Sequence, residues 1–368
     1  MSEKIENIEK KPRIINEKFL EKLVNAPSPT GFEQPAQSVY REYLNDIADK
    51  IKTDVMGNVD AVLNLEGNPR IALMAHVDEV GLQVKYIDEK GFIRFHMLGG
   101  VDAHLTPGNR VRILTGSKGK ILGVIGKKAI HLQKPEERKN VVKLDQQFID
   151  IGATSREEAV KELGIEIGDP IIFEHSYAPL GKGDLVVSRC FDDKIGTFII
   201  AEVIKSLKGT KFEGEVHAVA TTQEEIGTRG AITSTYSVNP QVGIAYDVTF
   251  ATDTPDMKES DIGIVKMGGG PVIVRGPNIN PILFNLFVET AKELGIPYQI
   301  LATPRATGND ARSIQISRSG VATGVIAIPN RYMHSMSEIV NLNDVNMIVE
   351  LTVAVIQKIT KEMSFIPQ

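Results

Sequence analysis

Acids and histidines interrupt this sequence at the points where its apolar runs stop. His76 and Asp78 follow IALMA, Asp192 and Asp193 precede an apolar stretch from Ile195, Glu224 and Glu225 follow HAVATTQ, Asp247 follows VGIAY, and His334 follows AIPNRYM. Polar groups at strand ends escape the desolvation cost they would meet inside a buried strand. Two imidazoles with several carboxylates form a borderline donor set, suited to zinc, cobalt or manganese.

The pair Glu224 and Glu225 is the hardest feature to explain otherwise, because adjacent carboxylates repel each other unless cations or protons intervene. An economical division of labour gives Glu225 to a metal. Glu224 is then free to take a proton from a metal-activated water and return it to a leaving group. The competing reading is two surface acids capping a helix that begins before Gly227.

In His76-Val77-Asp78 the one-residue spacing returns Asp78 to the same side of an extended chain as His76. Its carboxylate can there accept the second imidazole N–H and fix the tautomer. Read alone, His76 is equally a hydrogen-bonded histidine near a strand end, and Asp192 and Asp193 are equally a helix cap and a first-turn acid. Asp247 and His334 complete the constellation. Asp310, beside Gly308 and Asn309, reads as a support for the site or as an ordinary N-terminal acid of a helix. His96, His104, His131, His175 and His217 fall in a β-rich stretch or within strands and read as structural or surface residues.

A scaffold that gathers such scattered side chains must place several strand ends side by side, as open parallel sheets do at their carboxyl edges. The chain has the length for it, 368 residues, which predicts two or three domains. Helical patterns cover Asn16 to Asn25 and a stretch from Phe32 to Ile47; strand-like runs follow at 59–65 and 71–77. From about Gly81 to Leu180 the texture changes to short β pieces divided by Gly, Pro, Asp and Lys, with one helical interruption near Ser155 to Leu163, which predicts a small barrel or sandwich. After Gly183 helix and strand alternate again: helices at 195–207, 281–294, 308–317 and 341–361, strands at 215–222, 242–248 and 321–329. The expected fold is α/β, a mixed sheet flanked by helices and interrupted by a β-rich barrel-like insertion. The charged segment Lys134 to Lys143 reads as a solvated loop.

A net charge of −5 argues against a nucleic-acid binder with a broad basic face. The single cysteine, Cys190, excludes an intrachain disulfide and a thiolate zinc ribbon. The opening MSEKIENIEK is polar, with no apolar run of 18 residues later, so the expectation is a cytoplasmic protein without membrane partners. Aromatic residues are scarce, with no Trp, 8 Tyr and 13 Phe, which leaves little material for a sugar-binding platform.

From SPTGFE at 28–33 through AHVDEVG, SRCFDDKIG, TTQEEIGTRG, AYD, TGNDA and IPNRYMHSMSE, the chain resembles the M42 peptidases. These are the glutamyl or tetrahedral aminopeptidases, some members of which are described as endoglucanase-like. The resemblance implies an aminopeptidase that removes N-terminal residues from short peptides with two divalent ions per subunit, most simply zinc or cobalt. It implies one metal on His76 and Asp247, another on Glu225 and His334, and Asp192 rather than Asp193 bridging them. Glu224 is then the general base and Asp78 the partner of His76. It further implies a metallopeptidase domain at 1–81 and 183–368, an assembly domain at 82–182, and association through dimers into a tetrahedral homododecamer.

Two blocks depart from the family pattern. Lys194 stands where Arg is usual after the paired aspartates, and Thr307-Gly308-Asn309-Asp310-Ala311 replaces Gly-Gly-Thr-Asp-Ala. Neither change removes an implied ligand; both bear on pocket geometry. The rival readings are a glycoside hydrolase, in which two carboxylates serve as acid and base without metal, and a non-catalytic assembly protein on the same fold.

Overall fold

The computed structural model describes residues 13–255 and 257–368; most of the polar leader lies outside them. Eight strands form the main sheet, in the order Lys50–Thr53, Val59–Leu63, Glu215–Thr221, Arg70–His76, Val242–Phe250, Ala322–Asn330, Val272–Arg275, Gln299–Ala302. The four central strands, from Glu215–Thr221 to Ala322–Asn330, are parallel, and antiparallel pairings flank them on both sides. Strands Arg70–His76 and Glu215–Thr221 are buried almost throughout, as expected where helices cover both faces.

One group of helices includes Glu17–Asn25, Phe191–Leu207 and Leu342–Lys358; a second pairs Arg229–Val238 with Ala311–Gln315. Phe191–Leu207 is buried nearly all round, and its Phe198 ring lies 5.5 Å from Phe19, which itself stacks on Tyr43 at 3.7 Å. The side chain of Asn16 accepts from Phe19 N and opens the first helix, as an Asn at that position should.

Chain order sets where ligands converge. After Arg70–His76 the chain enters its neighbour on one side, Glu215–Thr221, and then crosses to the neighbour on the other, Val242–Phe250. The crevice at the carboxyl end of Arg70–His76 is thus a topological switch point, where open α/β sheets bind ligands.

The β-rich stretch closes into a six-stranded barrel, ordered Gly81–Ile87, Ile93–Leu98, Phe148–Asp150, Gly119–Gly126, Arg110–Thr115, Pro170–Phe173, around its own apolar core of Leu82, Ile93, Val111, Ile113, Ile149 and Ile171. Its expected helical interruption is a single π turn at Glu158–Glu162, stopped by Gly164 at φ 69°. Residues 134–143 are almost entirely exposed. A third sheet of three short strands, Ala178–Pro179, Leu185–Ser188 and Glu338–Asn341, ties the return from the barrel to the segment after His334. Among the described residues no helix is long and apolar enough to cross a membrane.

Candidate metal centre

His76 ends its strand in register with Thr221, and Ala245 pairs with Met74, so Asp247 two residues later stands level with His76. Glu224 and Glu225 occupy the turn after Glu215–Thr221. Asp192 and Asp193 lie at the entrance of Phe191–Leu207 with non-helical backbone, joined by a cis peptide. His334 follows Ala322–Asn330. Five separate segments therefore meet at one edge of the sheet.

The distances are those of a ligand cluster. His76 Nε2 is 3.1 Å from Asp192 Oδ1 and 3.9 Å from Glu224 Oε2. His334 Nε2 is 3.1 Å from Asp192 Oδ2 and 3.5 Å from Glu225 Oε1. Asp192 thus presents one oxygen to each histidine. Two overlapping trios, His76–Asp192–Glu225 and His76–Asp193–Asp247, have donor atoms within 4.8 Å of one another. Asp193, set aside in the ligand set that the family resemblance implies, stands in the second trio. Its Oδ2 accepts from His76 N and its Oδ1 from Gly196 N.

Charge in this cluster calls for cations. Burial pushes Glu224 up to about 9 and Glu225 up to about 7. Burial first, and neighbouring carboxylates second, also lift Asp193 and Asp247 well above the usual range. Burial lifts Asp192 too, but hydrogen bonds from His334 and His76 outweigh it and hold that carboxyl low. Its hydrogen bond with Asp192 in turn pushes His334 up to about 10. Protons stand in here for positive charge that a low-dielectric acidic cavity otherwise lacks. Glu225 Oε1 is buried with no hydrogen-bond partner among the described residues, an orphan that a cation would satisfy. With nitrogen and oxygen donors in two trios, these residues fit a dinuclear site.

Further carboxylates hold the cluster in place. Asp78 accepts Glu224 N at 3.0 Å, Glu225 N at 3.2 Å and Thr30 Oγ1 at 2.9 Å. His76 Nδ1 lies closer to the Asp78 carbonyl oxygen, 3.1 Å, than to its carboxylate, 3.5 Å. The Asp78 side chain therefore mainly aims the glutamate turn. Glu33 accepts from Gly31 N and from Gln223 N, which precedes Glu224 at φ 55°. Glu338 accepts from Asp192 N at 2.8 Å and from His334 N at 2.9 Å, pinning two members of the cluster at once, with His334 itself at φ 61°. A non-glycine residue held in the left-handed region persists only where its surroundings over-determine it.

Glu33 and Glu338 lie within the SPTGFE and MHSMSE blocks, yet neither stands out as chemistry in the sequence, since a lone acid in a loop carries no spacing signal. Replacing Glu338 with Ala is expected to weaken metal binding about 10- to 100-fold, as loss of ligand-orienting partners does. Titration against a competing chelator reads it, and unchanged affinity would contradict the pinning.

The barrel also reaches the site. Gly100 O accepts from His334 Nδ1 at 2.8 Å, fixing which ring nitrogen faces the carboxylates. A Cβ on Gly99 would meet the Glu225 side chain at 3.2 Å, and one on Gly100 would meet His334 Nδ1 at 3.1 Å. The Gly-Gly pair after the strand Ile93–Leu98 was the available sequence signal.

Of the two departures, Lys194 points away from the cavity. Its buried Nζ donates to Ala26 O and pairs with Glu79 at 3.0 Å, beside Arg189, which also pairs with Glu79. Asn309 lines the cavity, and its Oδ1 accepts from Thr307 Oγ1 and Ala311 N. Buried Asp310 accepts from Thr221 Oγ1 at 2.6 Å, at the end of the strand that leads to Glu224. The five other histidines stay outside the cluster; His217, for example, pairs with Asp60 at 3.0 Å.

The cavity in front of these groups measures about 460 Å³ and is also lined by Val248, Thr249, Phe250, Arg312 and Met333. Residues 57–351 match the model of the M42 glutamyl aminopeptidases. The lysyl aminopeptidase of Pyrococcus furiosus is 35% identical over 357 residues, 96% of this chain and 100% of that protein. A TET aminopeptidase from a marine-sediment Thaumarchaeota archaeon superposes with a TM-score of 0.90 at 34% identity, over 94% of this chain and 97% of that one. The TET1 peptidase of Pyrococcus horikoshii, described as assembling into a tetrahedron or a large octahedral shell, has a TM-score of 0.82 at 32% identity, over 93% and 99%. With its own fold, ligand cluster and near full-length likeness in agreement, this chain belongs to the M42 family of aminopeptidases.

Proposed function

We propose that this chain removes amino-terminal residues from short peptides with two divalent cations, zinc or cobalt, one on His76 and Asp247, the other on Glu225 and His334, with Asp192 between them. The observation that carries the reading is the convergence of these five side chains on one cavity with Glu224 beside them. When bound, such ions supply a water of lowered pKa and polarise the scissile carbonyl.

The chain's own groups do the rest. Asp78 and Glu33 fix the turn that carries Glu224, so its carboxylate faces the cluster without searching rotations of the backbone. Burial raises the proton affinity of Glu224, which suits a group that takes a proton from water and delivers it to the departing amine. Thr249, Phe250 and Met333 offer a mixed wall for the first side chain.

Protein reconstituted with zinc or cobalt is expected to hydrolyse aminoacyl anilides and free-amine peptides and to leave their N-acetylated counterparts intact. Cleavage of internal bonds with no exopeptidase activity would sink the reading. Polysaccharide cleavage that survives chelation would instead favour the glycosidase alternative. The same reading takes the protein as cytoplasmic and its subunits as associating through dimers into a tetrahedral dodecamer; the dodecamer and the tetrahedron described for TET1 peptidases support that assembly, and light scattering of the purified protein checks its size.

A further inference from the structure

The cavity of the candidate metal centre adjoins a second one. Gly227, Thr228 and Arg312 line it and also line a neighbouring groove of about 580 Å³ between the helices Arg229–Val238 and Ala311–Gln315. The groove is mainly apolar: Ile232, Tyr236 and Ile316 border it and are 53%, 60% and 77% exposed. An apolar strip opening directly from a polar site suits a ligand that is charged at the reacting end and carries side chains beyond it.

Two arginines border the groove, and they differ. Arg318 is committed, with its guanidinium 3.8 Å from the centroid of the Tyr236 ring and donating to Tyr236 O. Arg312 is exposed at the junction of the two cavities, and its guanidinium has no hydrogen bond or ion pair among the described residues. A planar fork of donors left open at the rim of a binding cavity is suited to a carboxylate.

The wall shared by the two cavities belongs to the glutamate turn. Gly227 N and Thr228 N both donate to Glu224 O, at 2.8 and 2.9 Å, so the shared wall is the continuation of the turn that carries the proton-moving group. That group serves the departing amine. The groove thus adjoins the turn whose side chain serves that amine.

We propose that Arg312 and this groove form the subsite for the portion of the peptide downstream of the cleaved bond, with Arg312 receiving a carboxylate there; this rests on the aminopeptidase reading. In a di- or tripeptide the carboxylate is the free carboxyl terminus; in a longer peptide it is an acidic side chain at the second position. Ile232, Tyr236 and Ile316 accommodate the apolar parts of the same segment.

The test compares kcat/KM for the metal-loaded protein on matched pairs: di- and tripeptides with a free or an amidated carboxyl terminus, and amidated peptides with Glu or Gln in second place. The carboxylate-bearing member of at least one pair type is expected to be preferred about fivefold, mostly through KM, and the pair type showing it identifies the source. In Arg312→Gln that ratio falls to about one, and in Arg312→Lys part of it returns, because a point charge replaces the fork. Reading a ratio cancels any general loss in the variants. A wild-type ratio of one in every pair, or a ratio that Arg312→Gln leaves unchanged, overturns the inference. So does an unchanged ratio with an altered oligomeric state in Arg312→Gln, which assigns the groove to a second copy of the chain. If wild type cleaves no peptide or anilide, the aminopeptidase reading falls as well; cleavage of both members of each pair at one rate removes only the subsite.

Discussion

Replacing Glu224 with Gln is expected to lower kcat by about a hundredfold to ten-thousandfold while leaving both metals bound. The side chains are nearly isosteric, and the contacts that aim this position are made by backbone: Glu224 N to Asp78, and Gln223 N to Glu33. What the amide loses is the capacity to accept a proton and pass it on. Glu225→Gln should behave oppositely and shed metal first, because the buried Glu225 Oε1 has no hydrogen-bond partner among the described residues and a neutral amide there offers a cation less charge. Parallel metal analysis and turnover on both variants check the contrast, and equal activity of wild type and Glu224→Gln overturns the assignment.

The second large effect is expected from removing metal. A carboxyl that binds its proton more tightly folded than unfolded stabilises the fold fully below its unfolded value, and that contribution disappears as pH rises through the folded one. From an ordinary glutamate value of 4.5, Glu225 is pushed up to about 7, Glu338 to about 8 and Glu224 to about 9, each chiefly by burial. His334, pushed up to about 10, carries the same sign. Asp192, held low, carries the opposite sign and matters only in acid. Chelated protein is therefore expected to lose thermal stability steadily from about pH 5 to pH 9. At pH 8, saturating zinc or cobalt is expected to restore about 10 °C of Tm, since binding replaces the lost protons with cations. A chelated protein whose Tm stays flat or rises across that range would contradict the linkage, and proton release on metal addition can be followed directly.

The convergence of much of this candidate site was legible in the sequence because its residues sit where strong periodicity ends. The runs IALMA, HAVAT and VGIAY are strands whose buried texture is unambiguous, and the acid or histidine that follows each marks an edge. The barrel was legible for a similar reason, since Gly, Pro and charged residues divide its short strands. The helix Arg229–Val238 was not, because RGAITSTYSV is rich in β-branched and hydroxyl residues of low helix propensity and takes its shape from packing on the sheet. Short strands such as Val272–Arg275 and Gln299–Ala302 were missed because four residues give no readable period. The supports Glu33, Glu338 and Gly100 share a different difficulty. Glu33 and Glu338 reach backbone groups far away in sequence and Gly100 offers its carbonyl to a distant imidazole, relations that spacing does not encode.

The contact between Gly100 and His334 has a consequence for modular redesign. Chain topology makes the barrel look like an excisable cassette, entered after Asp78 and left before Asp192. Yet it supplies the carbonyl that orients one histidine and the two side-chain-free residues against which that histidine and Glu225 rest. A chimera carrying a relative's barrel would import whatever that relative sets against His334 and Glu225, so the barrel could not be exchanged without touching the cluster itself.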